Sequence, residues 1–332
     1  MLCGAVIGAG FLSGAELIVF FGADNFVFPL ALAGALFACC FACFFLNEKS
    51  ETVEIAARAD GGFFEAAGYV AAFIFLSGML AGLDETANIG FFRKFPAVSV
   101  LALIFAVVYS RRGGRGLVRL NVVLTPVSVV IVNAFIILAA INGDFAAREN
   151  NAVAFTANRL PELKKCVNAA LYAFMNVFAA SPALKVFARE KDKKTLVLSS
   201  AAFGAYAFVQ AAVILFAISG MRSAVASETP VLAAFGNSRY GFLLRGAVFL
   251  GIFTSFYSFF LPVYDGMRKK RGEVAAFGVI LAAFMLSRIG FSRVISRLYP
   301  IAGAFGGAFC VKNFLSVLKK RSIKNRALND NI

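Results

Sequence analysis

Gly4-Ala5-Val6-Ile7-Gly8-Ala9-Gly10-Phe11-Leu12-Ser13-Gly14-Ala15-Glu16-Leu17-Ile18-Val19-Phe20-Phe21-Gly22 decides the fold. The run is apolar enough to enter a bilayer. It nevertheless holds Gly4, Gly8, Gly10 and Gly14, and it places the carboxylate of Glu16 among apolar neighbours. Each glycine costs a helix interior about 1 kcal/mol relative to alanine. A plain membrane anchor has no use for that cost. A helix that breaks inside the membrane and offers its backbone to a ligand does. The stretch therefore predicts a discontinuous membrane helix, interrupted at Gly8-Ala9-Gly10.

The rest of the chain agrees with a membrane setting. It has 332 residues, 60% of them hydrophobic, and long apolar runs recur from end to end. A soluble domain is nearer half apolar. No alternating strand pattern is visible, so the spanning elements are helices. A span needs about 20 apolar residues. Ten segments come near that length: 1–21, 26–46, 63–83, 95–109, 117–141, 166–187, 196–220, 241–264, 274–286 and 298–318. The first is too polar at Glu16, and lacks a basic start and a cleavage site, to be a removed signal peptide.

The net charge of +15 is carried in short loops rather than on one domain. It reads as the positive-inside bias of a membrane protein, with no nucleic-acid partner. With the N-terminus inside, most Lys and Arg fall in cytoplasmic loops, among them Arg111, Arg112, Arg115 and the run Arg268-Lys269-Lys270-Arg271. Both termini are then expected to be cytoplasmic. Arg288, Arg293 and Arg297 fall on the other side, with snorkelling near helix ends as their only explanation here.

The chain has no histidine. That excludes imidazole metal sites, a Ser-His triad and a histidine proton relay. Cys39, Cys40 and Cys43 have a spacing that resembles a metal site, but they lie inside an apolar run and read as helix packing. No nucleophile–base pair is evident, so an enzyme is not expected. Carboxylates, hydroxyls and backbone carbonyls remain for handling ions.

The long polar segment 143–165 divides the chain into a first five-helix block, 1–142, and a second, 166–318, with a basic tail at 319–332. An odd number of spans per block sets the two blocks in opposite orientation. The second block also opens on an interruption, expected between Tyr172 and Pro182, where proline leaves the Phe178 carbonyl without its helical donor. Interrupted helices at matching positions of inverted halves point to a substrate and ion site at the midplane. The fold expected is an all-α polytopic membrane protein of about ten helices in two inverted repeats, with helices one and six discontinuous. The segment 223–238 is long enough to hold a short surface helix.

The polar residues within the spans are the site candidates. Glu16 is one by default, as an ionisable group in a membrane helix, although it could instead brace a neighbouring helix. Tyr172 and Asn176 are one helical turn apart and face one way. Thr254, Ser255 and Ser258 share a face of the eighth span. With free carbonyls of the first helix they would make a neutral oxygen cage for a small cation, or they bond back to carbonyls one turn earlier. Asn121, Thr125 and Ser128 form a polar stripe on the fifth span, which could line an exit path or pair with neighbours.

The opening stretch also resembles the start of the bacterial YkvI-type membrane proteins. These are similar to the amino acid–polyamine–organocation superfamily, with the leucine-transporter fold. The family pattern reads Gly-x-Gly-Phe-x-Ser-Gly-Gln-Glu, and Ala15 stands here where glutamine is usual. The resemblance implies a sodium ion between the first and eighth helices, held by the carbonyls of Gly4 and Ile7 and the hydroxyls of Thr254 and Ser255. It implies a solute against Gly8, Ala9 and Gly10, near Tyr172 and Asn176; Glu16 completes the expected substrate set. Only seven residues precede Gly8, about 10 Å of helix, which is shorter than the family's inner segment. The function expected is cation-coupled transport (Na+ or H+) of an amino-acid-like or other small solute. The alternative is a non-transporting receptor on the same fold. Expected partners are that solute and the lipid bilayer, with sodium as the one candidate ion and no cofactor. Oligomeric state is not specified by the sequence.

Overall fold

The computed structural model describes residues 8–48, 53–87, 96–110, 113–141, 161–238 and 240–329. All regular elements among these residues are helical. In chain order they are α1 (Ala9–Ser13), α2 (Ala15–Phe21), α3 (Val27–Glu48), α4 (Val53–Thr86), α5 (Ala97–Tyr109), α6 (Gly113–Ile141), α7 (Glu162–Glu190) and α8 (Lys193–Ile218). There follow α9 (Arg222–Val225), α10 (Pro230–Phe235), α11 (Gly241–Ser287), α12 (Phe291–Arg293), a π turn (Val294–Leu298) and α13 (Tyr299–Asn329). Six of these segments are long and apolar enough to cross a membrane. The chain is a multi-pass membrane protein. Large apolar side chains such as Leu101, Val108, Val130 and Ile141 stay exposed along α5 and α6. On a membrane protein such a surface faces lipid.

The first helix is broken, but not quite where expected. Gly8 is extended and starts α1, while Ala9 and Gly10 are already helical. The sharper break is Gly14, at φ +80°, which ends α1 and starts α2. A left-handed residue closes a helix cheaply only when it lacks Cβ. Four glycines in one run offer several places to break, and the spacing alone does not rank them.

The second interruption is absent. Helix α7 runs unbroken from Glu162 to Glu190, through Pro182. The Ser181 hydroxyl donates to the Phe178 carbonyl at 2.8 Å, so the acceptor that proline leaves open is filled locally. The helix also starts four residues before Cys166, with Pro161 immediately ahead of its first turn.

The segment expected as a ninth span, 274–286, is the far limb of α11. Gly272, at φ +86°, folds the helix after the basic run 268–271. Between α8 and α11, the short helices α9 and α10 occupy the segment in which a surface helix was expected.

Packing brings the two blocks together. Helix α3 lies along α8, α4 along α11, α13 along α7 and α6 along α11. At the α3–α8 contact a Cβ on Gly34 would sit 2.9 Å from the Gly204 carbonyl, so the backbones approach closely, as small residues allow in membranes. Aromatic rings form clusters within the buried core. Phe37 and Phe41 stack, and both meet Phe203 edge-on at 5.6 Å.

Candidate functional site

The site grows from the break at Gly14. Because the chain turns there, Glu16 in the first turn of α2 folds back over α1, and its carboxyl fills the space a Gly10 side chain would take. Glu16 is 5% exposed. Across the gap, the buried Tyr172 of α7 donates its hydroxyl to Glu16 Oε2 at 3.3 Å. Asn176 Nδ2 donates to the Tyr172 carbonyl at 2.9 Å, one turn on. The Tyr172 ring is held by Phe20 at 5.2 Å, Phe21 at 5.3 Å and Phe37 at 6.0 Å. Three expected substrate residues, Gly10, Glu16 and Tyr172, are thus neighbours, while Asn176 bonds to the backbone of its own helix. Gly8 is buried at the start of α1, and Ala9 follows it as the first helical residue.

Tyr299 was missed by the sequence reading. It opens α13 directly after the π turn. The ring is wholly buried at 4.6 Å from Phe75, and its hydroxyl has no hydrogen-bond partner. Gly78 makes room for it, since a Cβ there would come within 2.7 Å of the hydroxyl. Nothing local in the sequence separates this tyrosine from a packing aromatic. The usable signals are the buried unpaired hydroxyl and the π turn, a feature frequent at functional sites.

The expected cation ligands divide. Gly4 and Ile7 lie outside the described residues. Thr254 and Ser255 are buried, and both donate to the Gly251 carbonyl, at 2.9 and 3.1 Å; Ser258 donates to the Thr254 carbonyl at 2.8 Å. The back-bonding arrangement is therefore present. It leaves the hydroxyl lone pairs, rather than the protons, for any other partner. Gly251 lies against Leu12 of α1, so the hydroxyl turn does sit beside the first helix.

Polar contacts at the helix ends position the elements around this site. Lys165 is buried; it donates to the Asp24 carbonyl at 2.7 Å and pairs with the Asp24 carboxylate at 3.3 Å, tying the end of α2 to α7. Asp84 accepts from the backbone and hydroxyl of Ser99, at 2.9 and 2.8 Å, and from Arg288 at 2.6 Å. Arg288 also lies 4.7 Å over the Phe284 ring. The pairing gives Arg288 an account beyond snorkelling. In the segment before α10, burial pushes the Glu228 carboxyl above the ordinary glutamate value. Glu85 adds to the rise, while Arg293 and the Ser292 backbone oppose it. Among the described residues no group of three or more Cys, Asp or Glu side chains is placed to hold a metal ion.

No protein-family model matches the chain. Over 331 residues it is 23% identical to the "Uncharacterized membrane protein YkvI" of Bacillus subtilis, with 93% of each chain covered. That similarity supports placement among YkvI-type membrane proteins.

Proposed function

We propose that the chain is a secondary active transporter, not an enzyme, that moves a small amino-acid-like solute by alternating access with a coupled cation. The observation that carries this reading is the Glu16–Tyr172 contact, a buried carboxylate held between a broken first helix and α7. One neutral hydroxyl does not offset the cost of taking a carboxylate out of water. The position calls for a counterpart: a proton, an inorganic cation or the ammonium of a solute. Each of these can come and go, whereas a purely structural brace would be cheaper built from neutral groups.

The leucine-transporter fold of two inverted five-helix repeats belongs to the same proposal. Its support is that α2 packs on α7, α3 on α8 and α4 on α11, each pair holding equivalent places in the two blocks. A bundle of the first, second, sixth and seventh spans would rock against the remainder, in a bacterial inner membrane with both termini cytoplasmic.

One observation favours a second reading, a non-transporting receptor for a small ligand. Helix α7 is continuous through Pro182, so the second flexible break that alternating access would use is missing. Proteoliposomes decide between the two. Uptake of amino-acid-like solutes that depends on a sodium or proton gradient supports transport. Saturable binding with neither uptake nor counterflow supports the receptor.

A further inference from the structure

Four buried side-chain polar atoms among the described residues have no hydrogen-bond partner, and three of them lie on α6 and α11. They are Asn121 Oδ1, Thr125 Oγ1 and Asp265 Oδ1. Thr125 is 1% exposed. Buried polar atoms are nearly always paired, so Asn121 and Thr125, one turn apart on the face of α6 that meets Ser258, ask for an occupant.

The seam is fixed by one contact: Asn121 Nδ2 donates to Ser258 Oγ at 3.1 Å, which orients the Asn121 carbonyl oxygen. Thr125 follows one turn later on the same face of α6. Each helix then has an interior proline just beyond these residues, Pro126 in α6 and Pro262 in α11. Proline has no N–H, so the carbonyls four residues earlier, Val122 and Ser258, lose their helical donors. Ser258 gives its own proton to the Thr254 carbonyl and has none left to offer. Asp265 lies two turns beyond Ser258 on α11 and already pairs with Arg268 at 3.3 Å, so it does not enter the ligand set. Asn121 Oδ1 and Thr125 Oγ1 are therefore left as oxygens with free lone pairs, one turn apart and beside Ser258.

We infer that the α6–α11 seam is a binding site for a small alkali cation, with Asn121 Oδ1 and Thr125 Oγ1 as side-chain ligands and the freed carbonyl of Ser258 beside them. Hard cations take such neutral oxygens, and carbonyls released from helices supply them in membranes. The site is separate from the sodium position implied by the resemblance, which draws on the first helix, and it does not rest on the transport reading.

The test is thermal unfolding of the purified full chain in nanodiscs, titrated with NaCl, KCl or LiCl against choline chloride at constant ionic strength. Thr125→Val keeps the shape and removes the oxygen. The wild type should show a saturable rise in Tm with at least one alkali cation. Thr125→Val should unfold no lower than wild type in choline, since an unpaired polar atom is gone, and should need about tenfold more cation for the half-maximal rise. Three results overturn the inference. One is the absence of a saturable rise in the wild type. Another is an unchanged half-maximal concentration in Thr125→Val, with the rise lost instead in Thr254→Ala/Ser255→Ala. The third is a Tm in choline lowered by Thr125→Val, which would mean that the hydroxyl already has a partner.

Discussion

Glu16 and Tyr172 are 156 positions apart in the chain and meet at 3.3 Å, the phenol donating to the carboxylate, with both side chains buried. The contact joins α2 to α7 at the level where α1 gives way to α2. On the transport reading, Glu16→Gln keeps the volume and removes the charge. Solute uptake in proteoliposomes should fall at least tenfold, while the protein still folds, because a neutral amide is cheaper to bury. Tyr172→Phe removes only the hydroxyl. It should raise the apparent KM by about tenfold or more, the worth of one hydrogen bond to a charged group. Unchanged uptake in Glu16→Gln would remove this carboxylate from the mechanism.

Gly14 is the hinge on which that geometry depends. At φ +80° an L side chain costs roughly 1–2 kcal/mol. A Cβ there would also come to 3.0 Å from Ile218 Cδ1. Gly14→Ala should therefore lower Tm, and a Tm equal to wild type would mean that the break is not held at this residue. Gly10→Ala differs in kind. Its backbone is helical and tolerates alanine, but the new methyl occupies the place of the Glu16 carboxyl. It should impair uptake more than it lowers Tm.

Legibility in the sequence followed the range of each interaction. Glu16 stood out because a charge inside an apolar run is conspicuous without knowledge of its neighbours. Tyr172 and Asn176 were found through their place at the head of the second block, and the fold brings Tyr172 to the first helix. The missing break in α7 turns on one local hydrogen bond, Ser181 to Phe178. A proline in a helix reads as an interruption, and the hydroxyl that repairs it carries no separate signature. Tyr299 was invisible because its distinction is an unpaired hydroxyl in a packed interior. Asp84 and Arg288, 204 positions apart, and Asn133 and Gln210 were beyond reach for a similar reason. Such pairs exist only once the crossing of two helices is known.

Glu228 gives a pH dependence outside the membrane spans. Its carboxyl is raised in the folded chain, chiefly by burial and next by Glu85. A folded chain that holds this proton more tightly than the unfolded chain is favoured at low pH. The contribution is full below the ordinary glutamate value and is lost as pH rises through the raised one. Tm should fall across that window. Glu228→Gln should flatten the fall, and an unaltered slope in the variant would assign the dependence to another group.

Helices α6 and α8 are joined by a reciprocal amide pair. Asn133 Nδ2 donates to Gln210 Oε1 at 3.0 Å, and Gln210 Nε2 donates to Asn133 Oδ1 at 2.9 Å. Gln210 is 4% exposed, so neither water nor lipid can replace its partner. The two single replacements then differ from the double one. Asn133→Leu or Gln210→Leu alone leaves the other amide unpaired in an apolar setting, at a cost of about 1–3 kcal/mol. Asn133→Leu with Gln210→Leu removes both amides and should recover most of that loss. A coupling energy on the order of 1 kcal/mol is expected from unfolding in detergent or nanodiscs, near the upper part of what such pairs contribute inside membranes. Additive effects of the two single variants would mean that the pair is open in the membrane. If the bundle rocks against the rest of the protein, this pair crosses the moving boundary. The double variant should then change the uptake rate as well, while leaving the apparent KM in place, because it touches none of the residues around Glu16.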